Sequence, residues 1–165
     1  MKDQKRTGEV IIDGERATLA FERRIAHPIQ DVWTAITDPA ERAAWFGPSR
    51  IDPKVGGAVE MTADGPPAPP EIRAGTGTVT VWEPPRVFEF TWFQKIIGET
   101  VMRYELTADG DATILRYLHR GLRVRDAQGY IPGSHAYLDR LEAQLDHAAL
   151  PEWNARYAEV APAYA

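Results

Sequence analysis

Between residues 75 and 122 the chain spells four strand-like runs in succession, "GTGTVTVWEPP", "RVFEFTWF", "GETVMRYELTAD" and "DATILRYLHRGL". Pro84-Pro85, the segment around Gly98 and Asp109-Gly110-Asp111 separate them, and each is a turn-forming break. Strands that follow one another through short turns pair antiparallel, so this stretch is constrained to a meander. Alternation then splits the runs into two faces. Phe88, Phe90 and Trp92 form one inner row, Met102, Tyr104 and Leu106 the next, and Leu115, Tyr117 and His119 a third. Glu89, Arg103, Glu105, Arg116 and Arg120 hold the opposite parity and suit solvent.

What precedes and follows the meander narrows the architecture. "EVIID" and "ATLAFERRIA" flank Asp13-Gly14 and are compatible with a hairpin. Ile29, Val32, Trp33 and Ile36 fall at helical spacing after Pro28, which predicts a short helix with Trp33 in the core. Asp38-Pro39 ends that helix and starts another: Asp38 is placed to cap it, Pro39 fits its first turn, Glu41 completes a capping box and Gly47-Pro48 stops it. Gly56-Gly57 predicts a turn between two short strands, and "GPPAPPEIRAG" reads as an exposed loop. After the meander, "PGSHAYLDRLEAQLDHAAL" predicts a long helix capped by Ser134, with Tyr137, Leu138, Leu141, Leu145 and Ala148 as its apolar stripe. Such a helix needs a sheet to lie on. The expected fold is therefore α+β of helix-grip type: a curved antiparallel β-sheet wrapped around a long C-terminal helix, with two short helices between the first two strands. Residues 1–8 are expected to fray, 9–150 to form one domain, and 151–165, with Trp153, Tyr157 and Tyr164, to be a tail packing on or extending from the last helix.

Composition excludes several functions. A formal net charge of −5 argues against nonspecific nucleic-acid binding, and the lack of cysteine removes disulfides, thiolate catalysis and cysteine-based zinc sites. "MKDQKRTGEV" lacks the apolar run of a secretory signal, and no segment approaches the ~20 apolar residues of a membrane span. A soluble cytoplasmic protein is expected. The four histidines, at 27, 119, 135 and 147, match no metal-binding spacing, so neither a metal nor another cofactor is expected. "RAGTGTV" runs into a strand rather than a helix, which rules it out as a phosphate loop. Arg73, Arg103, Arg116, Arg120, Arg123 and Arg125 are interspersed with carboxylates and read as a solvated, salt-bridged face.

In order and spacing, "FERRIAHPIQDVWTAITDPAERAAWFGP", Gly56-Gly57, "VWEPPRVFEFTW", "YELTADGDATILRYLHRGL" and "GSHAYLDRLEAQL" resemble the helix-grip superfamily of birch-pollen allergen, START and polyketide-cyclase-like proteins. Within it the chain is similar to the family named for the activator of heat shock protein 90 ATPase. The resemblance covers roughly residues 17 to 147 and implies a cavity between sheet and long helix that commonly holds lipids or other hydrophobic small molecules. The co-chaperone that gives the family its name also has a separate N-terminal domain, for which a chain of 165 residues leaves no room, so a chaperone partner is not expected.

The residues expected at that cavity are Trp45, Phe46, Phe90, Trp92, Met102, Tyr104, Tyr117, His119, Tyr137 and Leu141. Several carry a polar tip that could orient a ligand. For Trp45-Phe46, core and cavity rim are equally compatible with the sequence. His119 is the ionisable residue on the inner face and could serve as acid or base near neutral pH, although a bonded structural histidine fits as well. No catalytic residue is assigned. The expected function is binding of a hydrophobic small molecule, with no nucleic acid, no membrane and a homodimer left open. The alternatives are a cyclase- or hydrolase-type enzyme using the same cavity and an Hsp90-type co-chaperone.

Overall fold

The computed structural model describes residues 5–165. Asp13-Gly14 turns the first strand back on itself: β1 (Glu9–Asp13) pairs with β2 (Arg16–Ile25), and Gly14 supplies the positive φ of 61° that the turn needs. Since this first strand of the expected order is a hairpin, the two short helices fall after β2. They are α1 (Ile29–Thr37) and α2 (Pro39–Trp45). Asp38 is extended, as a residue before proline must be, and its carboxylate accepts from the Glu41 N–H at 3.1 Å. β3 (Ser49–Ile51) and β4 (Ala58–Thr62) follow, then one turn of helix, α3 (Pro70–Arg73), inside the proline-rich segment read as loop. The meander is β5 (Ala74–Glu83), β6 (Val87–Gln94), β7 (Gly98–Asp109) and β8 (Ala112–Arg123). Helix α4 (Val124–Leu145), α5 (Trp153–Val160) and a 3-10 turn (Ala161–Tyr164) complete the chain.

All eight strands join one antiparallel sheet in the order β1-β2-β8-β7-β6-β5-β4-β3. Its register places like with like. Phe88 opposes Tyr104, Tyr104 opposes Tyr117 and Tyr117 opposes Phe21, so one aromatic row crosses four strands. Such cross-strand pairs are the unit of sheet stabilisation, roughly 0.2–1 kcal/mol each. The opposite parity forms the expected charged lattice, with Glu89 accepting from Arg103 at 2.9 Å and from Arg120 at 2.8 Å. Trp33 is core, packed edge-on against Trp82 at 5.2 Å.

The long helix departs from expectation at both ends. It starts at Val124, directly after β8, and Ser134 is a buried residue within it rather than its cap. Gly129, Pro132 and Gly133 mark a break by local propensity, and Pro132 removes one intrahelical donor. Burial of Ala127, Ile131 and Leu138 on the core outweighs that cost. The helix ends at Leu145, His147 takes a positive φ of 51°, and Ala148 lies exposed beyond it. No helix of the described residues is long and apolar enough to cross a membrane. Of the leading segment expected to fray, residues 1–4 lie outside the described residues, while Arg6 bonds Asp139 and Glu142 and the Gly8 N–H donates to the Tyr164 hydroxyl at 2.9 Å.

Candidate functional site

Glycine decides where the aromatic walls can stand. A β-carbon on Gly75 would lie 2.3 Å from the Trp92 indole, so the glycine-rich run in β5 is what lets that ring lie flat on its neighbour strand. In α4, Gly129 and Gly133 occupy one face four residues apart and leave a groove for α5. Trp153 Nε1 donates to the Gly133 carbonyl at 3.2 Å and the Tyr157 hydroxyl to the Gly129 carbonyl at 2.7 Å.

These elements surround a cavity of about 310 Å³. Trp92, Met102, Tyr104 and Tyr117 form its sheet wall, and Trp45 and Phe46 its α2 wall. Tyr130, Ser134 and Tyr137 of α4 stand opposite, with Trp153, Asn154 and Tyr157 of α5 above them. Gly65 and Pro66, in the segment read as exposed loop, complete the rim. Tyr137 holds them there, its hydroxyl donating to the Gly65 carbonyl at 2.9 Å and accepting from the Gly65 N–H at 2.8 Å. Arg140 fastens three walls at once: it donates to the carbonyls of Trp45 (2.8 Å) and Pro151 (2.7 Å) and lies 3.2 Å from Asp64.

The remaining residues expected at the cavity, Phe90, His119 and Leu141, are fully buried behind its wall. They have the inner parity, but other elements cover them. The Arg42 guanidinium lies 5.8 Å from the Phe90 ring, and Tyr130 packs edge-on over His119 at 5.7 Å. Tyr130 belongs to the turn of α4 that local propensity conceals.

The hydrogen bonds fix the state of His119. Thr100 has one hydroxyl proton, which goes to the Trp92 carbonyl at 2.9 Å, so its oxygen accepts from His119 Nε2 at 2.8 Å. The proton is therefore on Nε2, and Nδ1 is left buried without a partner. Burial lowers the imidazole pKa to about 3, which leaves a neutral ring and a weak base at neutral pH. Burial also raises the phenols of Tyr117, Tyr130 and Tyr137 above their ordinary range, so they act as hydrogen-bonding groups and not as phenolates.

Two buried arginines escape the reading of arginine as a solvated face. Arg23, on the apolar parity of β2, donates to Asp139 at 2.6 Å. The Asp139 carboxyl also lies 2.7 Å from Arg6, 2.7 Å from Arg156 of α5 and 3.4 Å from His135, and so ties β2, α4 and α5 together. Arg42 lies one turn from Trp45 on α2, and the Asp38-Pro39 break folds both back over the end of α1. Trp45 Nε1 donates to the Ala35 carbonyl at 2.8 Å and Arg42 Nη1 to the Ile36 carbonyl at 2.9 Å, satisfying carbonyls that a helix end leaves open. Trp45 is thus core and cavity wall together.

The family described as "Activator of Hsp90 ATPase homolog 1-like protein" matches residues 26–146, from the end of β2 to the end of α4. Among solved structures, CalU16 from Micromonospora echinospora shares 23% identity at a TM-score of 0.72, over 96% of this chain and 92% of its own. Protein MLL2253 from Mesorhizobium loti shares 27% at 0.70, over 81% and 99%. A protein of unknown function from Enterococcus faecalis, EF2215, shares 16% at 0.74, over 95% and 87%. No curated protein matches the chain.

Proposed function

The chain belongs to the activator of Hsp90 ATPase homolog 1-like family, and from that premise we propose that it binds a hydrophobic small molecule between the sheet and α4, beneath α5. The observation that carries this reading is the make-up of one cavity. Its walls are mainly aromatic rings, the polar groups among them are a few hydroxyls and amides, and no lining side chain is charged. Sites for small molecules have this character, apolar with a few placed polar groups, in volumes of roughly 300–1,000 Å³. At about 310 Å³ the cavity lies at the small end of that range, which favours a compact ring system over a long lipid chain.

Binding, rather than proton-transfer catalysis, is favoured by the position of His119, which is neutral and screened from the cavity by Tyr130. The test is a thermal-shift screen of the full chain against compact aromatic and alicyclic metabolites, with calorimetry on the hits. A true ligand raises the melting temperature with concentration, by about 2.7 kcal/mol of stability at a hundredfold excess over Kd. Hits whose affinity is unchanged when Tyr137 and Tyr157 are replaced by alanine bind elsewhere and count against the reading. Stimulation of a chaperone ATPase by the same preparation would favour the co-chaperone alternative instead.

A further inference from the structure

We infer that the cavity takes an apolar molecule bearing one oxyanion, whose oxygen accepts the hydrogen bond of the Tyr104 hydroxyl while the Arg42 guanidinium behind that hydroxyl supplies the balancing charge. The inference rests on the binding reading above and names the ligand class.

Arg42 is fully buried, with its guanidinium carbon 4.7 Å from the Phe46 ring, 4.9 Å from Trp45 and 5.3 Å from Tyr104. Nη1 donates to the Ile36 carbonyl at 2.9 Å, Nη2 donates to the Tyr104 hydroxyl at 3.1 Å, and Nε has no partner. Among the described residues no carboxylate forms an ion pair with it. A buried guanidinium stays charged, and without a counter-charge it is costly. Ring faces and one helix-end carbonyl recover only part of that cost.

Tyr104, which lines the cavity, is the side chain that joins it to this charge. Its oxygen receives the Arg42 hydrogen, so its own proton must be donated elsewhere, and no hydrogen bond within the described residues takes it. Tyr104 lines the cavity, and a hydroxyl that accepts from a cation is the stronger donor for it. Of the other phenols, Tyr130 donates to Gln94, Tyr137 to Gly65 and Tyr157 to Gly129, while Tyr117, its ring 5.1 Å from that of Tyr104, is the second lining phenol whose proton no acceptor among the described residues takes. No side chain on the wall is charged, and Arg42 is the charge that stands directly behind Tyr104.

The test is calorimetric titration of the full chain with three probes of one ring system: naphthoate, naphthamide and naphthylmethylammonium. Naphthoate is expected to bind at least about tenfold more tightly than naphthamide, and the ammonium more weakly than either. Arg42→Met and Tyr104→Phe are each expected to bring the acid-to-amide ratio within about twofold. Equal binding of acid and amide to the native chain overturns the inference but leaves the binding reading standing, as does a preference that survives both substitutions. A chain that binds none of the three removes the binding reading, and the inference with it. Should Arg42→Met fail to fold, Tyr104→Phe carries the test, since it deletes one oxygen and keeps the ring. An arginine that serves only to hold the end of α1 would lower stability on replacement with no change in the ratio.

Discussion

Trp153 is held between two glycines: a β-carbon on Gly133 would stand 2.8 Å from its ring, and one on Gly65 2.2 Å from it. The indole therefore cannot yield in one direction without meeting the other wall. Gly133→Ala should gain roughly 0.5–1 kcal/mol of helix propensity and lose a comparable amount at Trp153. Unfolding free energy should stay within about 1 kcal/mol of native, while amides of α5 exchange about tenfold faster. Unchanged α5 protection by hydrogen exchange would contradict this.

His119 predicts a stability gradient on the acid side of neutrality. Its folded pKa, about 3, lies below the unfolded value of about 6.5. The unfolded chain thus binds the extra proton between those limits. The stability due to the neutral ring is complete above about pH 6.5 and declines as pH falls, by up to about 1.4 kcal/mol per pH unit. Replacing His119 with Gln should reduce the loss between pH 7 and pH 5 by about 2 kcal/mol in denaturant unfolding. Imidazole resonances of His119 that titrate near pH 6 would contradict this.

Asp139 acts at lower pH. Burial alone would raise its carboxyl, but His135, Arg23 and Arg156 outweigh burial and hold it well below the carboxylate range. Its contribution is therefore present above the unfolded pKa of about 3.9 and is lost as pH falls below that value. Asp139→Asn should cost about 1–3 kcal/mol at pH 7, because it removes the charge that Arg6, Arg23 and Arg156 share and leaves buried Arg23 with Glu142, at 2.8 Å, as its one carboxylate. The variant should also unfold with a shallower dependence on pH below about 4, as followed by circular dichroism.

Trp45→Ala should behave first as a core deletion. The side chain is 1% exposed, donates to Ala35 and faces the Arg42 guanidinium, so about 3–5 kcal/mol of stability should be lost in urea unfolding. A loss below about 1 kcal/mol would mean that the indole is a mobile gate.

The inner row from Phe88 to Tyr117 was legible because strand alternation has a period of two, and a single apolar residue sets the parity of its neighbours. Alternation says which face a side chain takes but not what lies over it, which is why Phe90 and His119 share the parity of Trp92 and Tyr117 yet stand behind the wall. The covering elements were the hard part. Tyr130 lies on a turn of α4 that Gly129 and Pro132 disguise as loop, since local propensity cannot weigh the burial of Ile131. The tail has no clear period, so the position of Trp153 over Gly133 depends on a groove made by residues twenty positions earlier. Arg23 had a readable signal, a charge on an apolar parity. Arg42 had none, because its burial follows from the fold-back at Asp38-Pro39.

Asp139 gathers Arg6 from the start of the chain and Arg156 from near its finish on one carboxyl group. The two termini are thereby coupled thermodynamically, and loss of one strengthens the demand on the other. A purification tag that draws Arg6 away, or a cleavage just beyond it, removes one of three cations around that carboxylate and loosens the seat of α5. Ligand affinities measured on differently processed forms of this chain should therefore differ, although neither end need touch the ligand.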